Sequence, residues 1–299
     1  MKMSGDELET LTTMGDMVRW GASRFNEAGL SYGHGTDNAL DEAYSLVRFA
    51  LHLPHDIPAY MLNSHLSLAE RKQVLDLLCQ RVETRLPAPY LTHEAWFAGL
   101  AFYVDQRVLI PRSPIAELIH DGFEPWINSS RVEDILDLCT GSACIAIACA
   151  QAFPDAAVVG TDISAEALEV ARINIDRYDM RDQVRLQESD VFAALEGEFD
   201  VIVSNPPYVN RQDMEALTEE FRHEPGLALA AGGDGLDIVK RILSDAARLL
   251  KPEGILVVEV GNSYPELLEQ YPQLDFTWPE FSHGGHGVFI LSREQLQSL

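Results

Sequence analysis

Positive charge is scarce in this sequence. Its 299 residues carry 22 Lys and Arg against 47 Asp and Glu, a formal charge of −25. A surface that acidic repels phosphate backbones, so non-specific binding of nucleic acid is not expected, while a basic partner is favoured. Solubility alone is the plainer use of such an excess. Long apolar runs are also missing. Nowhere do roughly 18 apolar residues follow one another, so no membrane-spanning helix is expected. Met1–Thr13 lacks the basic-then-apolar pattern of a secretory leader, and the expected compartment is the cytoplasm. Cysteine is sparse: Cys79, Cys139, Cys144 and Cys149. The last three are spaced by five, which fits no zinc or iron–sulfur pattern, so no metal site is expected. They lie in a small-residue apolar segment and read as reduced core thiols. Repeats and low-complexity tracts are absent.

What remains is the mix of an ordinary globular protein, 46% hydrophobic and 23% charged, long enough for about two domains. To about Leu86 the pattern is helical. Asp37–Leu53 and Ser67–Arg85 place apolar residues at three- and four-residue spacing. Ser67 with Glu70 fits a capping box, while Pro54, Pro58 and Pro87 interrupt the periodicity. "LPAPYLTHEAWFAGLAFYVDQRVLIPRSP" is rich in aromatic and β-branched residues around Gly99 and reads as a hairpin. The expected organisation is a helical domain over 1–86, a hairpin linker over 87–114 and an α/β domain over 115–299.

From Arg131 strands and helices alternate. "VEDILDLC", "AAVVGTDI", "QVRLQESD", "FDVIVSN" and "GILVVEVG" read as buried strands. "SACIAIACAQAF", "SAEALEVARINIDRYD" and roughly Asp234–Leu250 read as helices, with Ser164 as an N-cap. This order predicts a doubly wound, mostly parallel sheet. "FTWPEFS" and "HGVFILS" follow, split by a short Gly/His turn, and should pair antiparallel. An open sheet closed by such a hairpin is the seven-stranded, Rossmann-like architecture associated with class I methyltransferases.

Ligands of open α/β sheets sit beyond the carboxyl ends of the strands. The first such end reads "DLCTGSAC", Asp137–Cys144, where Gly141 permits a tight turn and a close approach. Asp162 ends the second strand, 21 residues after that glycine, the spacing of an acid that accepts ribose hydroxyls. Asp190 stands at the tip of the third. Singly, Asp162 reads equally well as a charge at a helix N-terminus and Asp190 as a turn former. Together they favour a cofactor. A nicotinamide cofactor needs G-x-G-x-x-G, and this loop holds one glycine. S-adenosylmethionine has no pyrophosphate and needs less of that cradle.

The fourth strand ends in "SNPPYVN". The Asn205 side-chain oxygen accepts hydrogen bonds but is no base near neutral pH. Pro206 offers a carbonyl and no N–H, and two prolines hold it rigidly. Two acceptors side by side suit an –NH₂ group, and Tyr208 can lay a flat face against a planar amide or base. Proline as mere strand punctuation is the simpler alternative.

At these residues the chain resembles the amide-directed protein glutamine methyltransferases. "DLCTGSACIAIA", "GTDIS", "SDVF" and "DVIVSNPPYV" match that family in order and spacing, and the likeness extends over essentially the whole chain. One branch methylates release factors. The other, PrmB-type, methylates the large-subunit ribosomal protein L-three. "LIPRSPIAELI", "EFRHEPGLALAAGGDGL" and "VEVGNS" are similar to the second; the first usually has Arg-Pro-Asp-Thr-Glu where this chain has Arg112-Ser113-Pro114-Ile115-Ala116-Glu117. The resemblance implies that Asn205, Pro206 and Tyr208 bind the glutamine amide. It implies that Asp162 binds the ribose of S-adenosylmethionine. The loop of Asp137, Cys139, Thr140, Gly141, Ser142 and Ala143 would surround its amino-acid part, with Asp190, Val191 and Asn205 completing the site. Ala143 replaces a family glycine, which is tolerable if its φ is helical. Val191 stands where release-factor enzymes carry an aromatic, which leaves Phe192 as the nearby ring.

Other residues carry two readings each. Arg112 could hold the cofactor carboxylate or pair with a surface acid. Phe102 or Tyr103 could cover the cofactor or fill the core. "RHEP", Arg222–Pro225, reads as a substrate lid or a plain loop. His283 and His286, like His52 and His55, are expected to be ordinary turn residues. Beside glutamine methylation stand three alternatives: adenine amino-group methylation, a non-catalytic module docking basic proteins, and a dehydrogenase. The net charge opposes the first and the missing glycines oppose the last.

Overall fold

Capping chemistry sets where the first helices begin. In this computed structural model, which describes residues 5–282 and 284–299, Ser67 starts the helix Leu68–Thr84. Its hydroxyl accepts the Glu70 N–H, and the Glu70 carboxylate accepts the Ser67 N–H at 2.8 Å. Thr13 with Asp16 repeats the device before Met14–Glu27, and Asn38 caps Ala39–Ala50. The apolar faces of these helices, with Phe25, Leu46, Leu75 and Leu78 at the centre, form one core. Met1–Glu94 and Thr218–His223 together make this first compact unit.

Ions are buried inside it. Arg81 is fully enclosed, and its Nε donates to Glu42 Oε1 at 2.8 Å. Glu220 lies 3.9 Å from Arg81 and 2.7 Å from Arg85. Burial pushes the Glu42 carboxyl above its usual range, and the Arg81 charge opposes that shift.

The second unit is Ala95–Leu217 with Glu224–Leu299. It opens on a hairpin, β1 (Ala95–Phe97) and β2 (Leu100–Phe102), turned by Ala98 and Gly99, both at positive φ. The hairpin is much shorter than the 87–114 span read from sequence. Proline suits a first helical turn, and Pro87-Ala88-Pro89 starts the helix Ala88–Thr92 instead.

Six strands follow among the described residues: β3 (Asp134–Leu138), β4 (Ala157–Asp162), β5 (Val184–Glu188), β6 (Phe199–Ser204), β7 (Leu250–Glu259) and β8 (Val288–Ser292). Their order is β5-β4-β3-β6-β7-β8, parallel except for β8. Alternate residues serve opposite cores. Ile135, Val201 and Val257 face the helix Cys144–Ala152; Leu136, Ile202 and Leu256 face Asp237–Leu249. That burial on both faces is why these strands read as continuous apolar runs.

The expected seventh strand shrinks to one antiparallel bridge, Thr277 with Ile290. The next hydrogen-bonded position would be Pro279, which has no N–H to give. In the other direction the Ser292 N–H is already donated to the Gln295 side chain, which also takes the Asp275 carbonyl. The ladder is blocked at both ends.

Strand order reverses between β3 and β6, and a doubly wound sheet binds ligands at that point. Leu138 pairs with both Thr161 and Ser204, so the three strand ends are level. The Ser204 hydroxyl donates to the Leu138 carbonyl at 2.8 Å and ties β6 to β3 where "NPPY" begins.

Candidate active site

The loop after β3 turns by left-handed backbone. Cys139, Gly141 and Ala143 have φ of 58°, 52° and 62°. The Ala143 N–H returns to the Thr140 carbonyl at 2.8 Å, closing a turn in which Gly141 has positive φ, and Ala143 leads into the helix Cys144–Ala152 from the left-handed region. The φ of Ala143 is therefore not the helical one under which its methyl would be tolerated without strain. A glycine would be unstrained here, whereas alanine gives up about 1 kcal/mol. Val191, after β5, is also left-handed at 52°, an unusual state for a β-branched residue. Ser189 locks that turn: its hydroxyl donates to the Val191 carbonyl and accepts the Ala194 N–H. Strain of this kind persists where surrounding structure over-determines it.

These loops wall one cavity of about 310 Å³, within the size range of ligand pockets. Cys139, Thr140, Gly141 and Ser142 line it on one side. Asp162, Asp190, Val191 and Asn205 line it from the other strand ends. Each Asp162 oxygen accepts one backbone N–H at 2.9 Å, from Gly141 and from Ser164, leaving a lone pair on each. Burial raises the Asp162 carboxyl, and the backbone N–H groups of Ser164, Gly141 and Ile163 oppose the rise. Arg241, paired to Asp190 at 2.8 Å, holds that carboxyl below its usual range.

Four expected residues stand outside the lining. Ala143 and Asp137 lie behind the loop, both fully buried. Pro206 is buried, while its neighbour Pro207 lines the cavity. Tyr208 is drawn towards β7: its hydroxyl donates to Glu259 at 2.7 Å and its carbonyl accepts the Ser263 hydroxyl at 2.8 Å. Cys139 and Cys144 line the cavity and are not core residues, although burial pushes the Cys144 thiol up to about 12 and keeps it protonated.

Arg112 is paired with an acid, but a buried one. Glu224 takes its guanidinium at 2.6 and 2.8 Å and also accepts the Ile110 N–H. Phe102 and Phe192 are core residues, and the Tyr103 hydroxyl donates to Asp105. His286 Nε2 meets Asn262 Oδ1 at 2.9 Å; His283 lies outside the described residues. Sequence reasoning missed Arg107, Ile163, Leu227 and Arg241 on the cavity wall. Arg241 finds Asp190 in a remote segment, so no spacing announces it, whereas Arg107 holds its near neighbour Asp105. Glu259 did leave a signal, as an acid at the end of the apolar run "ILVVEV".

Asp137 is expected to give the ligand-free protein a pH-dependent stability. Its Oδ2 accepts Thr140 Oγ1 at 2.5 Å and the Ala146 N–H at 3.1 Å, while Oδ1 has no partner among the described residues. Burial pushes its carboxyl up to about 7 from 3.8. The folded state therefore holds a proton that the unfolded state has lost, and stability falls as pH rises from about 4 to 7. Asp137→Asn should flatten that fall. Thermal melting of the ligand-free protein from pH 5 to 8 reads it; equal slopes in both proteins would assign the titration elsewhere.

Residues 125–236 match the family described as Methyltransferase small domain. A "Ribosomal protein uL3 glutamine methyltransferase" of Neisseria meningitidis is 50% identical over 295 residues, covering 98% of this chain and 97% of the relative. A protein of the same name from Neisseria gonorrhoeae is 50% identical, covering 98% and 99%. Among solved structures, the hMettl16 catalytic domain in complex with MAT2A 3'UTR hairpin 1 aligns with a TM-score of 0.51 at 17% identity. That alignment covers 84% of this chain and 88% of the other, and it shows a shared fold.

Proposed function

The chain belongs to the ribosomal protein uL3 glutamine methyltransferases, and from that premise we propose that it transfers a methyl group from S-adenosylmethionine to the side-chain amide nitrogen of a glutamine in uL3. The observation that carries this is Asn205. It stands past the level ends of β3 and β6, lines the cavity, and among the described residues its side chain has no hydrogen-bond partner.

S-adenosylmethionine supplies an electrophilic methyl group when bound. The residues present suit it: the spare lone pairs of Asp162 match two ribose hydroxyls, and the loop 139–143 offers a backbone turn rather than side chains. An amide nitrogen is a poor nucleophile because its lone pair is delocalised into the carbonyl. Positive charge grows on it as it is methylated. The Asn205 oxygen and the Pro206 carbonyl accept the two amide hydrogens and stabilise that charge where it develops. They also aim the nitrogen. Tyr208 presents its ring to the planar amide. No base is needed during attack, because the positively charged product sheds its proton readily.

We further infer that the helical residues 1–86 contribute substrate recognition, and that the −25 charge suits a basic ribosomal protein and disfavours naked nucleic acid. No helix of the described residues is long and apolar enough to cross a membrane, and a ribosomal substrate would place the reaction in the cytoplasm. The mass of uL3 from a strain lacking this gene tests the reading. It should be lighter by one methyl-for-hydrogen exchange, with release factors unchanged. Unaltered uL3 beside lighter release factors would move the enzyme to the other branch.

A further inference from the structure

The polar groups around Tyr208 converge on one buried carboxylate. Glu259, the last residue of β7, accepts the Tyr208 hydroxyl on Oε1 at 2.7 Å and the Ser113 hydroxyl on Oε2 at 2.5 Å. Each oxygen thus holds one hydroxyl. Ser113 and Glu259 lie 146 residues apart in the chain, in "LIPRSP" and "VEVGNS".

Tyr208 is held at its other surfaces too. Its carbonyl accepts the Ser263 hydroxyl. Gly261 lies against the ring, and a Cβ there would come within 2.6 Å of a ring carbon. Gly235 similarly leaves room for the Tyr208 carbonyl and the Ser263 hydroxyl. Hydroxyl, face and carbonyl are all fixed, so the ring has one orientation.

A carboxylate is a costly group to place at the end of an apolar strand. Glu259 is 6% exposed and its two short contacts are both neutral hydroxyls; the charge of Arg112 acts on it from farther away. An apolar side chain would close the strand end more cheaply, but it would leave both buried hydroxyls without a partner.

We propose that Glu259, braced by Ser113, is a positioning residue for methyl transfer: it fixes the Tyr208 ring where the substrate amide must lie flat. This rests on the reading of Tyr208 as the amide platform. It acts on the orientation of the protein substrate rather than on the ribose contact, because Glu259 ends β7 and Asp162 ends β4, with β3 and β6 between them, although Ser113 also lines the cavity.

The test uses the full-length protein, with calorimetric binding of S-adenosylmethionine and steady-state methylation of uL3. Glu259→Ala should lower kcat by about 30- to 100-fold, the effect of a misplaced reacting group, with cofactor Kd within about threefold of wild type. Glu259→Gln keeps an acceptor for Tyr208 and a polar partner for Ser113, and should recover kcat to within about fivefold of wild type. Tyr208→Phe should resemble Glu259→Ala, and combining it with Glu259→Gln should add little. An alanine variant within threefold of wild-type kcat, or one that loses cofactor affinity in equal measure, overturns the proposal. If that variant does not fold, the Tyr208→Phe and Glu259→Gln cycle decides, and additive effects on kcat overturn it. Wild-type protein inert towards uL3 would sink the substrate reading instead. Coupled melting shifts in the same cycle would still uphold the Tyr208–Glu259 pair, and additive shifts would remove it.

Discussion

Asn205→Ala is expected to lower kcat for uL3 methylation by roughly 10²–10³-fold, the usual effect of losing a preorganised group at the site of charge development. S-adenosylmethionine affinity should stay within about fivefold, since one lost neutral hydrogen bond is worth about 1 kcal/mol. The loss should fall on kcat rather than KM. A neutral amide makes a weak bond to the Asn205 oxygen, and the bond strengthens only as the nitrogen becomes positive. The Pro206 carbonyl remains in the variant, so a residual rate above background is expected. Stability should scarcely change, because the Asn205 side chain is half-buried and supports no other group among the described residues. Calorimetry with the cofactor and initial rates with uL3 separate the two parameters. Equal losses of cofactor affinity and kcat would make Asn205 a cofactor ligand and dissolve the amide clamp.

Asn205 could be found in the sequence because its signal is local: an apolar strand, two prolines and an aromatic in four consecutive residues after it begins to end. The same holds for the alternation of strands and helices and for the Ser67 and Ser164 caps, each read from neighbours a few positions away. What was illegible depends on contacts between remote segments. Arg112 with Glu224 spans 112 residues and Ser113 with Glu259 spans 146. No period or motif records such a pair. The left-handed φ of Ala143, at the N-cap of the helix Cys144–Ala152, was hidden because alanine by itself suggests a helix. Charge misled in a different way. Composition counts acids without placing them, and Glu42, Glu220, Glu224, Glu259 and Asp137 are all buried, so the net charge overstates what the surface shows.

Arg81→Ala should destabilise the helical unit by about 3–5 kcal/mol, the penalty for stranding buried charge. Arg81 donates to Glu42, lies 3.9 Å from Glu220 and reaches the Ser31 carbonyl, all while fully enclosed. Alanine takes away the cation and leaves both carboxylates inside. Glu220 retains Arg85 at 2.7 Å, but among the described residues Glu42 keeps only the Thr36 hydroxyl at 3.3 Å as a side-chain partner. The loss should depend on pH in a defined direction. Glu42 already titrates above its unfolded value, so its carboxyl favours the folded state less as pH rises. Removing Arg81 removes the charge that opposes this shift, so the gap between variant and wild type should widen from pH 5 to pH 7.5. Urea unfolding followed by circular dichroism at both values reads it. Arg81→Met combined with Glu42→Leu should recover most of the loss, because an apolar pair of similar volume leaves no stranded charge. A single variant that loses less than about 1 kcal/mol at pH 7.5 would mean that Glu42 reaches water or another cation once Arg81 is gone. A double variant as weak as the single would mean that shape at this position, and not charge, is what the helical core requires.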